Sequence, residues 1–131
     1  MITTEDMALI VSEKLMSFGK QIYVKGHIPF AEEEITEGCI TITPKEDSVG
    51  NIFDKCFVEV NFLEPDVYQE ASIELDSLER QAYEIFKDGF SDEYEGQWYK
   101  VSYSRRSRER DEKLKCHYAH FQLLFETLNT L

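Results

Sequence analysis

The stretch Cys56-Phe57-Val58-Glu59-Val60-Asn61-Phe62-Leu63-Glu64-Pro65-Asp66 decides the fold. As far as Phe62 it alternates. Cys56, Val58, Val60 and Phe62 fall on one side and Glu59 and Asn61 on the other, the period of a half-buried strand. At Pro65-Asp66 the period changes. From Asp66 to about Lys87 the apolar residues Val67, Ala71, Leu75, Leu78, Ala82, Ile85 and Phe86 return every three or four positions, which places them on one side of a helix. Glu70, Glu74, Asp76, Glu79 and Glu84 take the remaining surface. Asp66 is placed to cap the helix, Gln69 stands three residues on as in a capping box, and Gly89 ends it.

Upstream, Met7, Ile10, Val11, Leu15 and Phe18 mark a first amphipathic helix over about Thr4 to Phe18, with Thr3 or Thr4 as cap and Gly19 as stop. Gln21 to Lys25 is a short extended piece. The glutamate-rich run from Ala31 to Gly38 reads as an exposed loop, and Gly38 to Thr43 alternates as a strand that stops at Pro44. Lys45 to Asn51 is a polar turn. Downstream, Ser91 to Gly96 reads as an acidic turn and Trp98 to Arg105 as a strand. The basic stretch Arg105 to Lys113 reads as a loop or hairpin tip, and Leu114 to Thr127 as a last strand.

The predicted order is α-β-β-β-α-β-β. Three strands before the second helix, with no crossover helices between them, argue against a doubly wound parallel sheet. An α+β fold is expected, with an antiparallel or mixed sheet and both helices on one face. At 131 residues, 1–131 is expected to form one domain.

Net charge is −12 and unevenly spread: eleven acidic residues between Glu64 and Glu95 stand against Arg80 and Lys87 alone, whereas Arg105 to Lys115 holds six basic and three acidic residues. An acidic body repels polyanions, so no direct nucleic-acid partner is expected. No apolar run is long enough for a membrane span, and the first residues lack the pattern of a secretory signal, so no membrane association and a cytoplasmic location are expected.

No catalytic, metal or cofactor signature is present. Cys39, Cys56 and Cys116 are odd in number, widely spaced and read as small buried hydrophobes. Cys116, His117 and His120 lack the spacing of a zinc site, and on a strand the two histidines point to opposite sides. Glu32, Glu33, Glu34 and Glu37 lack the alternating ligands and central glycine of a calcium loop. The chain is not expected to be an enzyme. The locally distinctive feature is the basic cluster. Arg105, Arg106, Arg108, Arg110 and Lys113 are the candidate subunit-interface residues, able to dock a basic tip on the acidic face of another copy.

The opening Met1-Ile2-Thr3 before an amphipathic helix, Ile22-Tyr23-Val24, and the strand Gly38-Cys39-Ile40-Thr41-Ile42 form part of a wider pattern. It continues with Phe57-Val58-Glu59-Val60-Asn61-Phe62 leading into the helix Asp66–Phe86, and with His120-Phe121-Gln122-Leu123-Leu124-Phe125. In these features the chain resembles the tail terminator (tail completion) proteins of long-tailed bacteriophages and prophages. The resemblance implies a structural protein that caps the tail tube as a homo-oligomeric ring, commonly a hexamer. It further implies tail-tube and head-connector proteins as partners, and incorporation in the virion. The alternative expectation is a small non-enzymatic adaptor or regulatory domain that binds a cellular protein.

Overall fold

The computed structural model describes residues 2–24, 35–45, 53–66 and 70–128. The chain is α+β, with two helices and a mixed six-stranded sheet. Helix α1 (Thr4–Leu15) runs into a 3₁₀ turn (Met16–Phe18), followed by β1 (Gln21–Val24), β2 (Cys39–Pro44) and β3 (Phe53–Pro65). Helix α2 (Glu70–Phe86) then leads to β4 (Phe90–Tyr94), β5 (Gln97–Asp111) and β6 (Cys116–Leu128). Spatially the sheet runs β1-β2-β3-β6-β5-β4. Among the described strands, only the β1–β2 pair is parallel.

Local chemistry explains the first helix. The Thr3 hydroxyl accepts the Asp6 amide at 3.1 Å while the Asp6 carboxylate accepts the Thr3 amide at 2.9 Å, a complete capping box. Gly19, at φ 69°, ends the 3₁₀ turn in the left-handed region, where a Cβ carries a penalty.

The alternation of β3 is realised in full. Val58, Val60 and Phe62 stand beside Leu123, Phe121 and Ala119 of β6, and Val60 and Phe62 beside Ile42 and Ile40 of β2. These strand residues form the core together with Met7, Ile10, Val11 and Leu15 of α1 and Leu75, Leu78, Ala82 and Phe86 of α2. Phe18 stacks on Phe62 with centroids 5.5 Å apart, and Phe86 reaches Phe121 at 6.0 Å. The opposite, outer side of the sheet carries Thr41, Phe57, Asn61, Tyr118, His120 and Leu124. At one end it holds a smaller buried cluster of Ile35, Cys39, Leu63, Leu114 and Cys116.

Two expectations are corrected. The acidic stretch after Gly89 is not simply a turn: Phe90–Tyr94 is strand β4, so the order is α-β-β-β-α-β-β-β, and only Glu95-Gly96 turns. The basic stretch is not a loop or hairpin tip. Strand β5 continues through it to Asp111, and the turn is confined to 112–115, with Asp111 Oδ1 accepting the Leu114 amide at 2.9 Å. The distal part of β5 is exposed throughout, and β4 carries exposed Ser91, Asp92 and Glu93 between its two part-buried rings, Phe90 and Tyr94. The hydrophobic alternation that marks a strand is therefore weak or missing in both. The expected cap Asp66 lies in a turn before α2, while Val67, Gln69, the glutamates 32–34 and the turn residues 46–51 lie outside the described residues.

Candidate functional site

The five candidate interface residues divide by geometry. A bulge at Ser104 shifts the β5–β6 register, so that Tyr103 faces Leu123 and Arg105 faces Gln122. The extra residue returns Arg106 to the same side as Tyr103, and Arg108 and Arg110 follow on that side at period two. All three lie along α2 or the turn before it. The Arg106 guanidinium sits 4.4 Å from the centre of the Tyr83 ring, itself edge-on to Tyr103 at 5.5 Å. Arg108 reaches Glu79 at 3.2 Å and Asp76 at 3.7 Å, and Arg110 reaches Asp66 at 3.0 Å and Glu112 at 3.7 Å. Each exposed pair is worth about 0.2–1 kcal/mol, and their alignment fixes how α2 lies on the sheet. Arg105, on the outer side, and Lys113, in the turn, make no ion pair among the described residues. These two of the five are therefore left to reach another molecule.

The corner where α2 begins is tied to the β5–β6 hairpin through Asp66. Its amide donates to the Lys115 carbonyl at 2.9 Å, one carboxylate oxygen accepts from Arg110 and the other from His117 Nδ1. Burial alone would raise the Asp66 pKa. The bonds from His117 and Arg110 outweigh it and hold the carboxyl below its usual 3.8. A carboxyl whose pKa is depressed in the folded state stabilises the fold above its unfolded pKa and loses that contribution as pH falls through the folded value. We therefore expect a loss of urea resistance between about pH 5 and pH 2 that is shallower in Asp66→Asn. Parallel acid limbs for the two proteins would remove this corner as an acid-sensitive contact.

The histidines diverge as their spacing requires. His117 meets Asp66, whereas His120, on the outer side, donates from Nδ1 to Asn61 Oδ1 at 2.6 Å, and the Asn61 amide donates to Thr41 at 3.4 Å. All three cysteines are buried. Burial pushes the Cys39 thiol up to about 11 and the Cys116 thiol up to about 12, far from the thiolate a nucleophile needs. No group of three or more metal-ligating side chains forms among the described residues, and no described helix is long and apolar enough to cross a membrane. A pocket bounded by Gln21, Tyr23, Ile35, Thr36, Glu37, Gly38 and Cys39 holds one carboxylate, that of Glu37, and no histidine or lysine to pair with it.

One buried charge had no signal in the sequence. Glu64, 6% exposed, forms an ion pair with Lys20 at 3.0 Å, and Lys20 also reaches Glu74 at 3.2 Å. The carboxylate fills the space beside Gly38, where an added Cβ would lie 2.2 Å from Glu64 Oε1. Gly38→Ala is accordingly expected to displace this carboxylate and lower the melting temperature; an unchanged melting temperature would show that Glu64 moves aside at no cost.

The strands also leave an edge. Strand β4 pairs with β5 only from Gln97 to Val101, so the edge of β5 from Ser102 to Asp111 has no neighbour among the described residues. Ser104 to Arg110 is exposed throughout.

No family model and no curated protein matches the sequence. One solved structure, whose printed name states no activity, superposes with a TM-score of 0.67 at 9% identity, covering 100% of this chain and 99% of the other. That likeness concerns the fold.

Proposed function

We propose that the chain is a structural subunit of a phage-like tail, one that closes the tail tube as a ring and joins it to the head connector. The observation that carries the reading is the pair of unlike sheet margins. Short β1 bounds one side, and β4 followed by the open run of β5 bounds the other. Two different margins on one body favour head-to-tail contacts, which close into rings when the rotation permits. The features shared with tail terminator proteins, from the Thr3-capped helix to the β3–α2 passage, point the same way. So does a site chemistry without an activated thiol. Subunit contacts then use Arg105 and Lys113, since Arg106, Arg108 and Arg110 are occupied by the chain's own α2 region.

Sedimentation and negative-stain images at high protein concentration test this reading, together with addition of purified tail tubes. Rings in solution, or a cap on the tube end, are the expected result. A monomer that neither forms rings nor binds tubes would overturn it. The open β5 edge also suits an adaptor that takes an extended peptide as an added strand. That reading predicts a monomer with a specific cellular partner in pull-downs.

A further inference from the structure

A free strand edge presents unpaired amides and carbonyls, and natural proteins blunt such edges with charge and bulges. Strand β5 carries both devices, since the bulge at Ser104 interrupts the edge and Arg105, Arg106, Arg108, Glu109 and Arg110 cover it. The charges are not arranged at random. Arg105, Ser107 and Glu109 lie on the outer side, with Gln122, His120 and Tyr118 of β6 opposite them. Arg106 and Arg108 lie on the other side, Arg106 over the Tyr83 ring and Arg108 paired with Glu79 and Asp76.

We propose that this edge pairs antiparallel with the same edge of a second copy, on a two-fold axis through Ser107, making one sheet continuous across both subunits. Directly opposite residues in an antiparallel pair point to the same side, so a two-fold perpendicular to the sheet must pass through a residue. The possible centres are few. Centring on Arg106 or Arg108 sets that arginine against its own copy, and centring on Glu109 opposes two glutamates. Centring on Ser107 places Arg105 opposite the partner's Glu109 and Glu109 opposite the partner's Arg105, with two small serines on the axis. The remaining opposed pair sets Arg106, whose guanidinium lies over the Tyr83 ring, against Arg108, which is paired with Glu79 and Asp76 in its own chain. The bulge at Ser104 ends the pairing on each side, which keeps the contact short and reversible and prevents further strand addition.

An isologous pair uses a different symmetry from a ring, although both readings draw on Arg105 and the β5 edge. They are separated by the cross-link at position 107 and by the charge exchange, which a head-to-tail contact would not reproduce. Ser107→Cys places two thiols across the axis, and direct cross-strand neighbours lie within disulfide range. Mild oxidation should give a covalent dimer. Lys100→Cys, on the same strand where β4 covers the edge, should remain monomeric. The native cysteines are buried and provide a silent background. Arg105→Glu turns two attractive cross-strand pairs into repulsive ones and should weaken dimerisation roughly tenfold in sedimentation equilibrium. Arg105→Glu combined with Glu109→Arg should restore it, because the pairs are re-formed with their signs exchanged. Equal cross-linking at positions 107 and 100, or a charge exchange that fails to restore what the single change removed, would overturn the proposal. A ring that persists while the cross-link fails would leave the tail reading standing and remove this one.

Discussion

Shortening Phe121 to alanine is expected to remove about 3–5 kcal/mol of stability, a large share of what a domain of this size has. Phe121 is fully buried in β6, flanked by Val60 of β3 on one side and Arg106 of β5 on the other. Its ring is edge-on to Phe62 at 5.7 Å, tilted against Phe86 at 6.0 Å and near Tyr103 at 6.4 Å. It thus joins sheet and α2 at one point, and the surrounding rings leave little room for collapse into the vacated space. Urea unfolding should show a lower midpoint with an unchanged slope. Phe57→Ala, at a residue 39% exposed on the outer side, serves as the comparison and should cost about 1–2 kcal/mol. Equal losses at the two positions would mean that the core is not centred where the rings meet.

The second large effect concerns charge. Lys20→Met should cost about 2–4 kcal/mol, because it leaves the buried Glu64 carboxylate without a countercharge. The Lys20 side chain keeps 23% of its surface in water, which tempers the loss, whereas that of Glu64 keeps only 8%. The pair also shows in the Lys20 pKa. Burial lowers it, but the contacts with Glu64 and Glu74 prevail and the net shift is upward. A raised lysine pKa contributes stability that is fully present below the unfolded value and lost as pH climbs through the folded one. This pair therefore matters throughout the neutral range. Adding Glu64→Leu to Lys20→Met should recover much of the loss, since an apolar replacement removes the stranded charge. If the double variant is no more stable than the single one, the stranded Glu64 charge is not the source of the loss.

Much of this architecture is legible in the sequence wherever one face is buried. Val58, Val60 and Phe62 alternate because β3 packs one side against the core, and Leu75, Leu78, Ala82 and Phe86 recur because α2 does the same. The reading fails where burial is slight. The distal part of β5 is exposed, and in β4 Phe90 and Tyr94 pack part-buried against the core with exposed Asp92 between them, so little forces an apolar period on either. A weaker signal is present there. Arg106, Arg108 and Arg110 alternate at period two, which suits a strand laid along an acidic helix. The candidate interface was legible as a basic cluster but not as two populations. The division between arginines held by α2 and those left outward depends on the bulge at Ser104, a backbone event without a residue signature. The Lys20–Glu64 pair was invisible for a similar reason, as it joins positions distant in the chain.

The place of β6 has a consequence for biosynthesis. This strand is translated after the other described elements, yet it lies between β3 and β5 and supplies Ala119, Phe121, Leu123 and Phe125 to the core. Until it emerges from the ribosome, β2 and β3 form one partial sheet and β4 and β5 another, with no strand to join them. The nascent chain must therefore hold its apolar faces in check until residue 128 is free, then close in a single late step that brings together residues far apart in sequence. The dense charge on β4 and on the outer half of β5 is well placed to keep those waiting edges from pairing with the wrong neighbours.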